Sequence, residues 1–401
     1  MKVLQINTVC GRGSTGRIAT DLLKCLQDQK EEGLIAYGYG KALNINPQDT
    51  IKIGTKLDYY LHNLLSRFTD KEGCYSKYAT RILLKKIEKY NPDIIHLHNI
   101  HGHYINYKYL FDFINIKQIP VIWTLHDCWP FTGHCTYFSA VKCEQWMSGC
   151  QYCLQLSQYP QCYTKGKVKE NFKNKYKTFS TVKNLTIVTP SIWLRELVKK
   201  SFLKKYPIRV INNGIDLEKF RVKNNIEKFK EKHRLNDKIV LLGVASEWSK
   251  RKGLDDYIKL AKILPKKYIL ILVGIDNKKA KELPKTILTI EKTNNVDELA
   301  EIYNSADVFI NFTYEDNFPT VNLESIACGT PIITYRTGGS VEVINENTGV
   351  VIEQGEFQDV LKNIDTVLKI NREKISQEAM KYDRKARYND YIELYHEIIR
   401  K

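Results

Sequence analysis

The sequence contains no apolar run long enough to span a membrane. Its longest runs, Ile239-Val-Leu-Leu-Gly-Val-Ala245 and Tyr268-Ile-Leu-Ile-Leu-Val273, are the size of strands. The opening residues, Met1 to Asn7, lack the extended apolar segment of an export signal and read as a first strand. Without an export signal, ten cysteines point to reduced thiols and a cytoplasmic protein, at the furthest one resting on the inner face of the cell membrane. Low-complexity segments and short repeats are absent. So is any zinc-finger or RRM-type signature, which places nucleic acid last among partners despite a formal charge of +17.

What is present points to a two-domain enzyme. A chain of 401 residues exceeds one ordinary core, and an apolar fraction of 43% suits a globular protein. Part of the positive charge is local. Lys165 to Lys183 carries seven lysines against one acid, Glu170, while Phe172, Tyr176 and Phe179 recur at helical spacing. That pattern predicts a helix with its aromatic residues buried and its lysines opposite, either solvated or resting on anionic lipid headgroups.

Strands and helices alternate throughout, the pattern of an α/β protein with parallel sheets. Predicted strands in the first half are Lys2–Asn7, Leu34–Tyr39, Ile94–His98, Val121–Leu125, Leu185–Thr189 and Arg209–Ile211. After the charged stretch Lys223 to Lys238 come Ile239–Ala245, Tyr268–Gly274, Val308–Asn311 and Pro331–Tyr335. The simplest architecture is two Rossmann-like parallel-sheet domains in tandem, facing across a cleft. The expected N-terminal domain covers 1–220, with a cysteine-rich insertion at 128–162, and is rejoined by a C-terminal helix at 380–401. The second domain covers 221–379. Tyr391, Leu394, Tyr395 and Ile398 give that last helix one apolar face.

The richest segment runs from Asp307 to Pro331. A strand to Asn311 leads into a loop with Glu315, Asp316, Asn317 and Phe318. Pro319 suits the first position of a helix, and Gly329 followed by Pro331 suits its end. The leading amides of Thr320 and Val321 then form an anion site that fits a diphosphate. Glu324, just over a turn further on, is placed for the two hydroxyls of a ribose, and Asp316 lies nearer a reacting sugar. The segment resembles the donor motif of glycosyltransferase family 4, which has the GT-B fold: two acids separated by seven residues, then a small-residue helix ending in Gly-Thr-Pro. The first acid here is Asp316 where the family usually has Glu.

The resemblance extends along nearly the whole chain and implies roles for further residues. Lys250-Arg-Lys-Gly253 matches the position where the family sets an Arg and a Lys on the donor diphosphate. Lys252 matches the Lys; the usual Arg position holds Glu247, so Arg251 is the expected substitute. Fixed cations there stabilise the charge gathering on a departing nucleoside diphosphate. Gly11-Arg-Gly-Ser-Thr-Gly16 fits the dinucleotide fingerprint, but the second strand ends Tyr37-Gly-Tyr-Gly-Lys41 without the ribose-binding acid. The family reading is a glycine loop, with Gly13 and Gly16, near donor phosphate and acceptor; a structural tight turn is the alternative. His126 ends a strand, where the family has a sugar-contacting His. His96, His98, His101 and His103 read as cleft lining or core. Gly338-Gly339-Ser340 borders the donor in the family.

Cys135, Cys143, Cys150 and Cys153 form a compact group, flanked by Cys128 and Cys162. Structural zinc and free buried thiols fit its spacing equally, with a disulfide behind both. The implied activity is retaining transfer of a sugar from a UDP- or GDP-sugar to a glycan or lipid-linked acceptor in surface polysaccharide synthesis. No catalytic cofactor is required, and contact with a membrane surface is compatible with the charge. An epimerase or phosphorylase of the same fold, a non-catalytic nucleotide-sugar binder and, last, an oxidoreductase using the Gly11 loop are the alternatives.

Overall fold

A computed structural model describes residues 1–223 and 227–400. Residues 224–226 of the charged stretch, and residue 401 at the end of the expected last helix, lie outside the described residues. The chain divides into two compact units: Met1–Asn212 together with the residues from Tyr388 onward, and Asn213–Arg387. These boundaries differ from the expected breaks at 220 and 380 because the flanking segments pack on the second unit. Ile215 and Phe220 belong to its core. The Ile215 amide donates to Tyr382 O at 2.8 Å, and the Arg384 amide donates to Ile215 O at 2.9 Å.

The first unit holds β1 (Lys2–Asn7), β2 (Glu32–Tyr37), β3 (Thr50–Lys52), β4 (Ile94–Leu97), β5 (Val121–Thr124), β6 (Leu185–Thr189) and β7 (Ile208–Val210). They form one parallel sheet in the order β3-β2-β1-β4-β5-β6-β7. The second holds β8 (Ile239–Val244), β9 (Tyr268–Val273), β10 (Ile287–Ile290), β11 (Val308–Asn311), β12 (Ile332–Tyr335) and β13 (Gly349–Ile352). These are also parallel, in the order β10-β9-β8-β11-β12-β13. Every residue of β4, β5, β11 and β12 is buried, as expected where helices cover both faces of a parallel sheet. In each sheet the winding reverses beside its first strand, between β1 and β4 and between β8 and β11. Ligands of such sheets sit beyond the carboxyl ends of the strands at that reversal.

The strands missing from the sequence reading, β3, β10 and β13, are all edges. β3 has three residues and β13 opens on a glycine, so neither carries the apolar run that marks an interior strand. The terminal helix Arg384–Ile399 buries Tyr391, Leu394 and Tyr395 against Val3, Ile94 and Ile122 of the first sheet and against Ile18, Leu22 and Leu26 of helix α1 (Gly13–Asp28). Tyr395 OH meets His96 Nδ1 at 2.6 Å.

The lysine-rich helix, Val168–Phe179, departs from its expected pattern. Tyr176 is 53% exposed, whereas Lys175 is fully inside. Its ammonium donates to the Trp129 and Thr132 carbonyls at 2.7 and 3.1 Å and sits 3.5 Å from the centre of the Trp129 ring. Burial pushes Lys175 down to about 7. Those partners come from the segment 128–162, out of reach of any periodicity argument. Among the described residues, no helix is long and apolar enough to cross a membrane.

Candidate functional site

In the second unit three loops leave the carboxyl ends of β8, β11 and β12 and lock together. The loop after β8 closes in a tight turn, Lys250–Lys252, and Gly253 follows with φ +74°. A Cβ at Gly253 would lie 2.2 Å from Phe312 O, so only glycine lets this turn seat on the loop after β11. Arg251 stitches the two loops: its Nη1 donates to Glu315 O at 2.7 Å and its carbonyl accepts the Tyr314 amide at 2.8 Å. Lys252 Nζ donates to Asp316 Oδ2 at 2.6 Å. The expected trio of Arg251, Lys252 and Asp316 is therefore assembled, and Glu247 is exposed.

The turn after β12 rests on the same loop from the other side. Gly338 has φ +47°, and a Cβ there would lie 1.8 Å from Asp316 O. The Gly339 amide donates to that oxygen at 3.3 Å. The backbone of Asp316 is thus held by a glycine pair while its carboxylate is held by Lys252.

The helix Thr320–Ala327 begins beside these turns. Pro319 occupies the N-cap, one position earlier than expected, with ψ 120°, and no side chain caps the helix. Its leading amides, on Thr320 and Val321, have no acceptor within the helix. Asn317 and Phe318 are buried; Phe318 O accepts Asn213 Nδ2 at 3.1 Å, and its ring packs on Tyr382.

Beneath lies a polar network that sequence reasoning missed. Asn322, fully buried, accepts from Asn311 Nδ2 at 2.8 Å and donates to Ser340 O and Oγ at 3.1 and 3.0 Å. Ser340 Oγ meets Thr334 Oγ1 at 2.9 Å. One amide thereby ties β11, β12, the helix and the glycine turn. Its only trace in the sequence is asparagine in otherwise apolar surroundings. Glu324 is also buried, and its Oε2 accepts the Tyr303 hydroxyl at 2.9 Å. Burial and that carboxylate push Tyr303 well above the usual phenol range, so it stays a neutral donor.

The remaining expected residues lie in the first unit. The loop after β1 closes on itself, Gly11 N donating to Gly16 O at 3.0 Å, and opens α1. Gly16 is buried, and a Cβ there would meet Gly11 N at 3.1 Å, which makes it a packing residue. Gly13 has φ +59° and no atom within 4 Å of its Cβ position, so it faces open space. His126 follows β5 and contacts His98 Nδ1 through Nε2 at 3.0 Å; His98 Nε2 in turn meets Gln5 Oε1 at 3.0 Å. Burial holds His126 neutral, down to about 4, against the opposing pull of Asp127. Asp127 is fixed by His101 Nε2 at 2.8 Å and the Trp129 amide at 2.9 Å. His96 and His98 are fully buried, as expected for core.

The thiols of the insertion are neighbours without the spacing of a preformed metal site. Among the described residues, the only metal-capable group whose ligand atoms all lie within 4.8 Å is His62, Glu72 and His103, so no three of Cys135, Cys143, Cys150 and Cys153 meet that spacing. Cys135 and Cys153 share a hydrogen bond that raises the first thiol and lowers the second. Cys150 Sγ accepts the Gly133 amide at 3.2 Å. In the histidine group, Glu72 Oε1 accepts the Gly102 and His103 amides at 2.8 and 2.9 Å, and Oε2 faces the His103 ring. His62 Nε2 accepts the Gly73 amide at 3.2 Å. These contacts set the buried Glu72 carboxylate against the His103 ring, beside a neighbouring, already bonded imidazole.

Comparison with known proteins agrees with the two-unit division. The model of Glycosyltransferase Family 4 matches residues 15–219, and that of Glycosyl transferases group 1 matches residues 225–387. The chain is 23% identical over 379 residues to the putative colanic acid biosynthesis glycosyl transferase WcaC of Escherichia coli, covering 90% of each chain. It is 26% identical over 189 residues to the capsular polysaccharide biosynthesis glycosyltransferase CapM of Staphylococcus aureus, covering 43% of this chain and 49% of that one. In architecture it matches a sucrose-phosphate synthase from Thermosynechococcus elongatus with a TM-score of 0.70 at 15% identity, covering 99% of both chains. It matches Anabaena Alr3699/HepE, solved in complex with UDP, with a TM-score of 0.67 at 14% identity, covering 99% of this chain and all of that one. With both units matched, and with the loops that carry the family's motif locked together in the second, the chain belongs to glycosyltransferase family 4 and is a glycosyltransferase of the GT-B type.

Proposed function

We propose that this glycosyltransferase moves a sugar from a UDP- or GDP-sugar to a hydroxyl of a glycan or lipid-linked acceptor, with retention at the anomeric carbon, during surface polysaccharide, lipopolysaccharide or capsule assembly. The observation that carries the reading is Lys252 seated on Asp316 beside the uncapped helix start, between two glycine turns that admit no side chain. The names of the colanic acid and capsule relatives support the polysaccharide setting, and the Anabaena complexes with UDP and UDP-glucose support the donor class.

In this reading the leading amides of Thr320 and Val321, with Arg251 and Lys252, hold the diphosphate. Glu324, oriented by Tyr303, offers its remaining acceptor capacity to the ribose. Asp316 orients the sugar, and the family resemblance assigns the neutral His126 and Gly13 of the first unit to sugar and acceptor. The acceptor oxygen bonds to the anomeric carbon as the bond to the phosphate oxygen breaks, and that phosphate takes the acceptor proton on the same face. No side chain acts as a strong base and no catalytic metal is needed.

The test begins with a thermal-shift screen of nucleotide sugars, because a bound donor raises stability with its affinity. With the donor found, Lys252→Ala is expected to lower kcat/KM by roughly 10²–10³-fold. Unchanged turnover in that variant would remove the site assignment, and an inverted product by NMR would remove retention.

A further inference from the structure

The loops of the donor reading all belong to the second unit, which leaves the first to receive the other reactant. Its winding reverses between β1 and β4, where ligands of parallel sheets sit beyond the strand ends. The loop after β4 carries His101 and His103 there. The loop after β1 is tied to it by Thr8 Oγ1, which donates to His101 O at 2.6 Å. Beside His103 opens a cavity of about 360 Å³, within the range of small-ligand clefts. Helix α2 (Lys56–Thr69) forms one wall with Tyr59 and Arg67. The cysteine-rich segment 128–162, which lies outside the donor motifs, forms the other with Gln158 and Tyr159.

The walls are held in place before any ligand arrives. Tyr159 OH meets buried His101 Nδ1 at 2.9 Å, and Asp127 holds the opposite nitrogen of that ring at 2.8 Å. The phenol tip is fixed inward while the residue as a whole is 45% exposed, which leaves ring surface open to the cavity. The His103 ring lies 5.6 Å from the centre of Tyr59 and 6.2 Å from that of Tyr159, edge-on to both. His103 is itself in the left-handed region, φ +64°, secured by Glu72, which accepts its amide and that of Gly102. Local strain of this kind collects at binding sites. Arg67 lines the cavity with its Nη1 donating to the neutral Tyr163 hydroxyl at 2.8 Å. Among the described residues it has no acidic partner, so most of its donor fork is left for a ligand.

Rigid aromatic rings suit the C–H face of a pyranose, and planar amide and guanidinium groups suit its hydroxyl rim. A guanidinium with no carboxylate of its own also recognises an anion on the ligand. We propose that this cavity selects the acceptor by taking a sugar ring that bears a negative group, with the ring against Tyr59 and Tyr159 and the negative group on Arg67. The assignment rests on the sugar-transfer reading above. It makes Arg67 and Tyr159 specificity-determining residues, and it gives the cysteine-rich segment a role as one wall of the acceptor cavity. The carboxylate of a uronic acid and a phosphate on the glycan present the same chemistry to Arg67.

An array of neutral, uronate-bearing and phosphate-bearing oligosaccharides, probed with the labelled full chain, tests this. Retention on anionic glycans above their neutral counterparts is expected, and the two anionic sets tell a uronate from a phosphate. Arg67→Gln is expected to lower retention on anionic glycans roughly tenfold or more and to leave that on neutral ones unchanged, with partial recovery in Arg67→Lys. Tyr159→Ala is expected to lower retention on every glycan, and Tyr159→Phe, which keeps the ring, to preserve most of it. Melting temperatures and the thermal shift induced by the donor, both equal to wild type, will show that each variant folds with its second unit intact. Equal retention on neutral and anionic glycans, no retention on any anionic glycan, or undiminished retention in Arg67→Gln would overturn the proposal and leave the donor reading standing. A donor-induced shift lost in Arg67→Gln would put donor phosphate on that residue and overturn it too. No shift with any nucleotide sugar in the wild-type chain would remove the sugar-transfer reading, and this proposal with it.

Discussion

Gly338→Ala isolates the contact that positions Asp316. Two costs are separable. The first is backbone strain, since φ +47° is a left-handed conformation that costs a side-chain-bearing residue about 1–2 kcal/mol. The second is collision: the new Cβ would sit 1.8 Å from Asp316 O, where real contacts are not under 3.0 Å, so the loop or the turn has to retreat by roughly 1 Å. A displacement of that size at a reacting centre costs roughly 10²-fold in rate. Gly355→Ala is the matched control. It has φ +87°, but the nearest atom to its Cβ is Tyr314 Oη at 3.9 Å, so it carries the strain without the collision. Both variants are expected to lose comparable strain energy in urea denaturation, with Gly338→Ala losing a further ~1–3 kcal/mol from overpacking. In a coupled assay of nucleoside diphosphate release, kcat/KM should fall roughly 10²-fold for Gly338→Ala and stay near wild type for Gly355→Ala. A folded Gly338→Ala with wild-type kcat/KM would refute the argument that this turn sets the Asp316 loop.

Acid should weaken the protein well above the carboxylate range. Burial pushes His62 and His126 down to about 4 and His96 to about 3, against 6.5 for the free side chain. Between pH 6.5 and 4 the unfolded chain binds protons that the folded one excludes, so stability falls with pH across that window, by about 2 kcal/mol per such histidine at pH 5. A urea midpoint equal at pH 7 and pH 5 would contradict this. In the cysteine insertion, Cys153 is lowered by its hydrogen bond with Cys135, while Cys135 and Cys150 are raised. Iodoacetamide at neutral pH should therefore label Cys153 before those two, as read by mass spectrometry. Joint protection of all four thiols, lifted by a chelator, would instead reveal bound zinc.

What could be read from the sequence was whatever nearby residues determine. Interior strands such as β1, β6 and β11 announce themselves as short apolar runs because each is buried on both faces. The donor helix shows its ends through Pro319 and Gly329, and the glycine turns through the residue that adopts positive φ most readily. Even so, the location of a cap shifted by one residue, and the domain breaks moved to where Ile215 and Phe220 find their core.

Partnerships between distant segments had no such signature. The edge strands β3, β10 and β13 exist because a neighbour supplies their hydrogen bonds. Lys175 is inside because two carbonyls and an indole from the cysteine-rich segment surround its ammonium. Glu324 and Tyr303, twenty-one positions apart, meet only once the sheet has assembled. The same holds for Asn322, which reaches both Asn311 and Ser340. The helix Lys56–Thr69, missing from the sequence reading, makes the contrast plainest: the bonds of His62 to Ser76 and of Thr69 to Tyr75 turn its polar side inward and leave its leucines exposed.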